Sequence, residues 1–134
     1  MPGLPQFQLF ALLYRYGEAM PLDPTCLFCK IITGDIPADI IYRTENVVAF
    51  RDITPQAPTH VLLVPTVHVE NAADLATMSS VITAALFSAA DEIATSEGLG
   101  GYRTVFNTGA SAGQSVFHAH LHLLGGRSFT WPPG

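Results

Sequence analysis

The chain has 134 residues, 49% of them hydrophobic, which is enough for one domain with a buried core. Its formal net charge is −5, with only six lysines and arginines. This balance argues against nucleic acid or an anionic membrane as the main partner, because both favour clustered basic residues.

Residues 1–22 are expected to form an extension before a domain that spans residues 23–134. The extension is apolar over residues 9–14, but no positive residue precedes this stretch and no clear cleavage site follows it. A loose leader, with Met20 as an alternative start, is therefore favoured over a signal peptide. No apolar run approaches the ~20 residues that span a bilayer, and two cysteines do not make a secreted disulfide framework, so a cytoplasmic location is expected.

The pattern of short apolar runs around one long periodic segment predicts an α+β domain. Helices are predicted over residues 26–33, with Thr25 as N-cap, and over 74–97, where apolar residues recur at three- and four-residue steps. Strands are predicted over residues 40–42, 47–50, 60–64, 102–106 and 117–124. Because the early connections are too short for crossovers, the sheet is expected to be mostly antiparallel.

Three of the five histidines alternate within the last predicted strand. Side chains two apart on a strand share a face, so His118, His120 and His122 are expected in one line, about 6–7 Å apart. A merely solvated strand face would be served better by Glu, Lys or Thr. Two functional interpretations remain, a His₃ catalytic zinc site and phosphoryl chemistry in which one imidazole attacks phosphorus and another moves protons.

The loop before this strand, residues 107–115, favours phosphate chemistry. Gly109 and Gly113 let the backbone approach a ligand closely, and exposed N–H and hydroxyl groups bind phosphate oxygens. Ordinary turns have a similar composition, so the loop supports this interpretation only because the histidines follow it.

Cys26 and Cys29 lie one helical turn apart, so both thiols are expected to face one way. Three interpretations of this pair are open: a redox pair, two unrelated buried cysteines, or half of a Cys₂His₂ zinc site. The redox pair lacks the thioredoxin-like βαβ context. His68 is expected to be a solvated surface residue.

Residues 113–122, Gly-Gln-Ser-Val-Phe-His-Ala-His-Leu-His, resemble the signature of the histidine-triad (HIT) family, in which His-x-His-x-His precedes two apolar residues. The resemblance extends to residues 30–32, 35–38, 52–60 and 131–134. The resemblance covers roughly residues 26–134. It is specific enough to indicate the branch of histidine-triad nucleotide-binding proteins.

The resemblance implies a HIT-like fold, a homodimer and hydrolysis of purine nucleoside 5′-phosphoramidates, with adenosine derivatives preferred. His120 would attack phosphorus and form a covalent nucleotidyl-histidine. His122 would contact the phosphate and assist proton transfer, and His118 and His60 would complete the histidine set. No cofactor would be needed for the chemical step, since Ser115, His122 and loop amides would stabilise the developing charge.

The resemblance also implies substrate contacts. Ser115 would bond to the leaving nitrogen or a phosphate oxygen, while Asn107 and Gln114 would contact the phosphate. Asp52 would accept hydrogen bonds from both ribose hydroxyls. Trp131 would reach toward the partner's site in the homodimer. An apolar slot for the base would be formed by Leu27, Phe28, Ile31, Phe50, Ile53 and Leu62.

A structural zinc is the sharper interpretation of the cysteine pair. In the related galactose-1-phosphate uridylyltransferases, histidines at similar motif positions join such a pair, which implies Cys26, Cys29, His60 and His118 as ligands here. The ion would pin the first helix to the sheet without performing the chemistry.

Three alternatives stay open at this point. A dinucleoside polyphosphate hydrolase or nucleotidyl transferase keeps the fold and changes the substrate, although the Trp-Pro-Pro-Gly ending argues against it. A His₃ zinc hydrolase lacks an acidic metal motif nearby. A non-catalytic nucleotide-binding scaffold would need none of the chemistry.

Overall fold

The computed structural model describes residues 22–134. The predictions of a loose leader and of an alternative start at Met20 lie outside the described residues. Among the described residues, no helix has the length and apolar character required to cross a membrane.

One antiparallel sheet forms the centre of the domain. Its strands are β1 (Ile40–Arg43), β2 (Val47–Arg51), β3 (Thr59–Pro65), β4 (Tyr102–Phe106) and β5 (Leu121–Gly125). They lie in the order β1-β2-β3-β5-β4, and each neighbouring pair is antiparallel. The predicted α+β class and antiparallel sheet are confirmed. β3 is central, and all seven of its residues are buried.

Within residues 22–134, three α-helices accompany the sheet, namely α1 (Leu27–Thr33), α2 (Ala72–Met78) and α3 (Ser80–Ser96). The prediction of a single helix over residues 74–97 was wrong, because the helical conformation is interrupted at Ser79. The backbone there is extended (φ −155°, ψ 105°), and the Ser79 hydroxyl accepts the N–H of Ile82 at 3.1 Å. Serine is a favoured N-cap because its oxygen binds a free N–H of the first turn, so Ser79 starts a new helix.

The last strand begins at Leu121, not at residue 117. The chain bends over residues 116–118, and the N–H of Ala119 pairs with the carbonyl of Val69 at 2.8 Å, outside the sheet. His118 and His120 therefore precede the strand, and only His122 lies on it.

α1 begins one residue later than predicted. Its N-cap is Cys26, whose Sγ accepts the N–H of Cys29 at 3.4 Å, while Thr25 bonds to Asp23 in the preceding turn. The helix ends at Gly34, as predicted, where φ is 86° and the left-handed conformation suits glycine.

The sheet separates two apolar layers, because side chains along a strand point alternately to its two faces. α3 packs on one face, against alternate residues of β2, β3 and β5, including Val47, Ala49, Val61, Leu63, Leu121 and Leu123. α1 packs on the other face, against Val48, Phe50, Leu62 and Val64. This second face also carries the histidines of β3 and β5.

Candidate active site and metal centre

Three imidazoles form a contiguous row on the α1 face of the sheet, and the first of them is supplied by β3. The register places Leu62 of β3 opposite His122 of β5. His60 Nε2 lies 2.9 Å from His122 Nδ1, and the ring centroids of His122 and His120 are 5.1 Å apart. The predicted line of residues 118, 120 and 122 is thus extended by His60, while the ring of His118 serves a separate group.

The hydrogen-bond partners assign the protons of this row. The carbonyl oxygen of His118 can only accept, so His120 Nδ1, 2.8 Å away, carries the hydrogen and leaves a lone pair on Nε2. His60 Nδ1 accepts the N–H of Gln56 at 3.0 Å, so its Nε2–H donates to His122 Nδ1. In the neutral His122 ring, the hydrogen then resides on Nε2.

The row is held in its neutral form. Burial, together with the neighbouring imidazoles of His120 and His60, lowers the pKa of His122 to about 4. Burial also lowers the pKa values of His120 and His60, against the opposing pull of the Asp52 carboxylate. Neutral imidazole is the nucleophilic form, so the site favours the species that can attack an electrophile.

An apolar cleft of about 500 Å³ opens between α1 and β2. Its walls include all six residues predicted for a base slot, namely Leu27, Phe28, Ile31, Phe50, Ile53 and Leu62. The ring of Phe28 contacts His120 edge-on, with centroids 5.0 Å apart, so the cleft adjoins the histidine row.

Asp52 lies on the rim of this cleft. Its Oδ1 accepts the N–H of Thr54 at 2.8 Å, which fixes the carboxylate in a tight turn after β2. Its Oδ2 is 3.4 Å from His60 Nε2. The carboxylate therefore connects the cleft with the histidine row.

Gln114 organises the loop of residues 107–115. Its Nε2 donates to the carbonyls of Glu70 (2.7 Å) and Val116 (3.1 Å), and its Oε1 accepts the N–H of Gly109 (2.9 Å). Both amide hydrogens are used within the fold, so the predicted phosphate contact of Gln114 would require these bonds to break.

Ser115 and Asn107, the other polar residues predicted in this region, differ in exposure. Ser115 is exposed, whereas Asn107 is half-buried. Asn107 packs beside Gly113, whose φ of 98° permits the turn between them. Trp131 is 82% exposed and lies outside the cleft within the described chain.

Two thiols and two imidazoles converge behind the histidine row. Cys29 Sγ lies 3.3 Å from His68 Nδ1 and 3.4 Å from His118 Nδ1, and Cys26 Sγ lies 3.5 Å from His118 Nδ1. All four ligand atoms lie within 4.8 Å of one another. Since ligands at ~2.0–2.3 Å from a tetrahedral zinc are roughly 3.3–3.8 Å apart, the group fits a Cys₂His₂ site.

His118 is oriented for such a site. Its Nε2 lies 3.0 Å from the carbonyl of Pro65, which can only accept, so the hydrogen is on Nε2 and the Nδ1 lone pair faces the sulfurs. A backbone carbonyl of this kind commonly fixes the tautomer of a metal-binding histidine.

The predicted ligand His60 does not belong to this group, and the structure gives its place to His68. His60 faces His122 from within β3, whereas His68 lies three residues after the end of that strand and turns back to Cys29. The expectation that His68 is a solvated surface residue was therefore wrong. A signal did exist, since an imidazole between two apolar residues, Val67 and Val69, is unusual for a solvated loop.

A second group, Asp52, His60 and His122, also has its ligand atoms within 4.8 Å of one another. The 2.9 Å between His60 Nε2 and His122 Nδ1 is a hydrogen-bond distance, shorter than the ~3.3 Å between two nitrogens on one tetrahedral zinc. Among residues 22–134, the nitrogens of His118, His120 and His122 do not form such a group, which argues against a His₃ zinc site.

Comparison with known proteins gives a consistent result. The family model described as "HIT domain" matches residues 33–129. The purine nucleoside phosphoramidase of Escherichia coli K12 is 44% identical over 103 residues, which are 75% of this chain and 87% of that protein. The 14 kDa zinc-binding protein of Zea mays is 47% identical over 115 residues, 84% of this chain and 90% of that protein. The crystal structure of a HIT family hydrolase from Legionella pneumophila Philadelphia 1 matches with a TM-score of 0.79 and 50% identity, over 82% of this chain and all of that one.

Proposed function

Since this chain is a hydrolase of the HIT family, we propose that it hydrolyses purine nucleoside 5′-phosphoramidates through a covalent nucleotidyl-His120. One observation carries the proposal. The bond from His120 Nδ1 to the carbonyl of His118 leaves the Nε2 lone pair free, and the His120 ring contacts Phe28, which lines a cleft of about 500 Å³. A cleft of this size and apolar character suits a nucleoside base.

The reaction proceeds as two displacements at phosphorus. In the first, the lone pair of His120 Nε2 forms a bond to phosphorus while the P–N bond of the substrate breaks. The electron pair of that bond stays on nitrogen, which takes up a proton and leaves as the amine. In the second, a water oxygen attacks phosphorus, the P–Nε2 bond breaks, and the nucleoside monophosphate leaves as the water gives up a proton.

Two groups manage the charge and the protons. His122 presents its Nε2–H to the phosphate, because its Nδ1 is occupied by His60. The exposed hydroxyl of Ser115 bonds to the leaving nitrogen or to a phosphate oxygen. Donors placed in advance in this way stabilise the charge that develops in the transition state without reorganisation.

Asp52 binds the ribose, and its loss should weaken substrate binding. We expect Asp52→Asn to raise KM about ten-fold, since a charged acceptor of two hydroxyls is replaced by a neutral one. The amide oxygen still accepts the N–H of Thr54, so the turn persists. Steady-state kinetics with ribose and 2′-deoxyribose substrates measure this effect.

The two substrates give this test its control. The wild-type protein should prefer the ribose substrate, and the preference should shrink in Asp52→Asn. Asp35→Asn, a change at an exposed carboxylate outside the cleft, should keep it. An unchanged preference in Asp52→Asn would contradict the assignment.

The substrate class separates the proposal from its rival of the same fold. We expect an adenosine 5′-phosphoramidate to be turned over with a kcat/KM at least about 100-fold above that of a diadenosine polyphosphate, a difference of roughly 3 kcal/mol in transition-state binding. The reverse order would favour a dinucleoside polyphosphate hydrolase or a nucleotidyl transferase.

The acid limb of the pH–rate profile should show the pH at which the histidines of the row become protonated. The pKa of His122 is lowered from 6.5 to about 4, so its neutral form persists as the pH falls through 6.5. The pKa values of His120 and His60 are lowered as well, so we expect the acid limb of kcat, corrected for spontaneous hydrolysis, to lie below pH 6.5. An acid limb centred on 6.5 would contradict this, and NMR titration of the imidazole protons provides the direct check.

A structural zinc is proposed for the group of Cys26, Cys29, His68 and His118. Bound there, the ion would supply structure, by joining α1 to the turn after β3 and to the segment before β5. The ring of His118 would be held by the ion and its carbonyl by His120. The Cys₂His₂ group would thus position His120 through the carbonyl of His118 and would take no part in bond breaking.

Association as a homodimer in the cytoplasm is proposed as well. β4 is an edge strand, and exposed apolar side chains on it and on α3 include Tyr102, Phe87 and Val81. Burying such side chains against a second copy would remove apolar surface from water. Sedimentation of the purified protein tests the dimer.

A further inference from the structure

Two arginines converge on one aromatic ring at the end of the sheet. The Cζ atoms of Arg103 and Arg127 lie 5.1 Å and 4.2 Å from the ring centroid of Phe129. The whole chain has only six lysines and arginines and a net charge of −5, so this pairing concentrates rare positive charge. Among the described residues, Arg51 has carboxylates within 4.0 Å, whereas no carboxylate lies that close to Arg103 or Arg127.

The register places this cluster beside the histidine row. Arg103 of β4 pairs with Leu124 of β5, and Leu124 pairs with His60 of β3. Residues that are paired across antiparallel strands point to the same face, so Arg103 and His60 share the active-site face about 10 Å apart.

Arg127 reaches the same place from the C-terminal segment. Its Nε donates to the carbonyl of Gln56 at 3.0 Å, and the N–H of Gln56 donates to His60 Nδ1 at 3.0 Å. A single residue therefore separates this guanidinium from the histidine row.

The cluster lies across the row from the apolar cleft. The cleft is walled by α1 and β2, the row is formed by residues on β3, on β5 and just before β5, and Arg103 lies on β4. A nucleotide with its base in the cleft and its phosphorus at His120 would direct the group on the far side of phosphorus toward these arginines.

We propose that Arg103 and Arg127 form a subsite that selects leaving groups carrying an anionic substituent. The inference rests on the proposed function, because it concerns the amine released when the P–N bond breaks. The anionic substituent does not react. The amine nitrogen keeps the electron pair of the P–N bond and takes up a proton as described above.

Both guanidiniums have donors to spare for an anion. Arg103 donates one N–H to the carbonyl of Thr130 at 3.1 Å. Arg127 donates two, to the carbonyls of Gln56 and Ser128. An arginine has five N–H donors and forms paired bonds with carboxylate, sulfonate and phosphate groups.

The test compares leaving groups of equal shape and different charge. Adenosine 5′-phosphoramidates of β-alanine and of β-alaninamide differ by a carboxylate against a carboxamide. For the wild-type protein we expect kcat/KM to be about five-fold higher for the β-alanine compound, the scale of exposed charge pairs, and the ratio to fall with added salt. Taurine and phosphoethanolamine derivatives show which anion fits best.

Variants separate charge recognition from a structural role. The ratio of the two kcat/KM values cancels any general loss of activity, and it should fall toward unity in Arg103→Gln and Arg127→Gln. Arg103→Lys should keep part of the preference. Arg43→Gln removes an arginine that likewise donates to a carbonyl, that of Ile32, but lies at the opposite edge of the sheet, so it should keep the full ratio.

Binding of inert analogues distinguishes the two proposals. Adenosine 5′-carbamates of β-alanine and β-alaninamide lack phosphorus, so their Kd ratio measures the subsite without turnover. Turnover with both ratios near unity would overturn the subsite alone. A Kd ratio of about five without any turnover would overturn the proposed function and support the subsite, and no turnover with a Kd ratio near unity would overturn both.

Discussion

Replacing His120 with alanine should lower kcat for an adenosine 5′-phosphoramidate by about 10⁴-fold or more, the usual scale for losing a nucleophile. The variant keeps the cleft and the Asp52 carboxylate, so substrate should still bind. Alanine lacks the Nε2 lone pair that His120 directs away from its bond to the His118 carbonyl. Single-turnover kinetics with excess enzyme measure the loss of chemistry directly.

A covalent adduct provides the complementary readout. Rapid acid quench of the wild-type protein, followed by mass spectrometry of the peptides, should locate a nucleotidyl group on residue 120, and the alanine variant should carry none. Thermal unfolding of the variant shows whether it is folded. An adduct on another residue, or a variant that keeps more than about a tenth of the rate, would contradict the assignment of His120 as the nucleophile. Full cellular function in this variant would favour the scaffold alternative.

Removing the metal site should produce the largest change in stability. We expect Cys29→Ser to abolish stoichiometric zinc binding and to lower Tm by about 10 °C or more, since binding free energy at a structural zinc site is folding free energy. The thiol is 2% exposed and lies near both imidazoles, so its loss removes a central ligand. Metal analysis and calorimetry measure the two effects, and a strong chelator should reproduce the Tm shift.

Two histidine variants act as a matched pair for this experiment. His68→Gln should lose the metal, because His68 Nδ1 lies 3.3 Å from Cys29 Sγ. His60→Gln should retain it, because that ring faces His122 instead. Equal zinc content in all variants would contradict the Cys₂His₂ assignment.

Local patterns predicted the architecture well where one physical signal dominated. β4 was predicted at its observed bounds, and the other early strands within a residue or two, because buried runs bounded by turn residues have few alternatives. The long helix was predicted as one piece because apolar spacing continues through Ser79. Periodicity does not report the capping bond that breaks it.

The site divides in the same way. The apolar walls of the cleft, in residues 27–31 and 50–62, were expected from the resemblance to the family. His68 was missed, because its role depends on a turn that brings residues 39 positions apart into contact. The strand period also misplaced His118, since the bend at residues 116–118 removes it from the sheet. Long-range hydrogen bonds decide such positions, and a single sequence does not display them.

The walls of the cleft have a practical consequence. Of its twelve lining residues, only Asp39, Arg51 and Asp52 carry polar side chains. Such a surface recognises the thickness and area of a ring system and makes few demands on its hydrogen-bonding edges. Fluorescent surrogates such as 2-aminopurine or etheno-adenine should therefore be accepted in place of adenine, and their emission would follow occupancy of the cleft in real time.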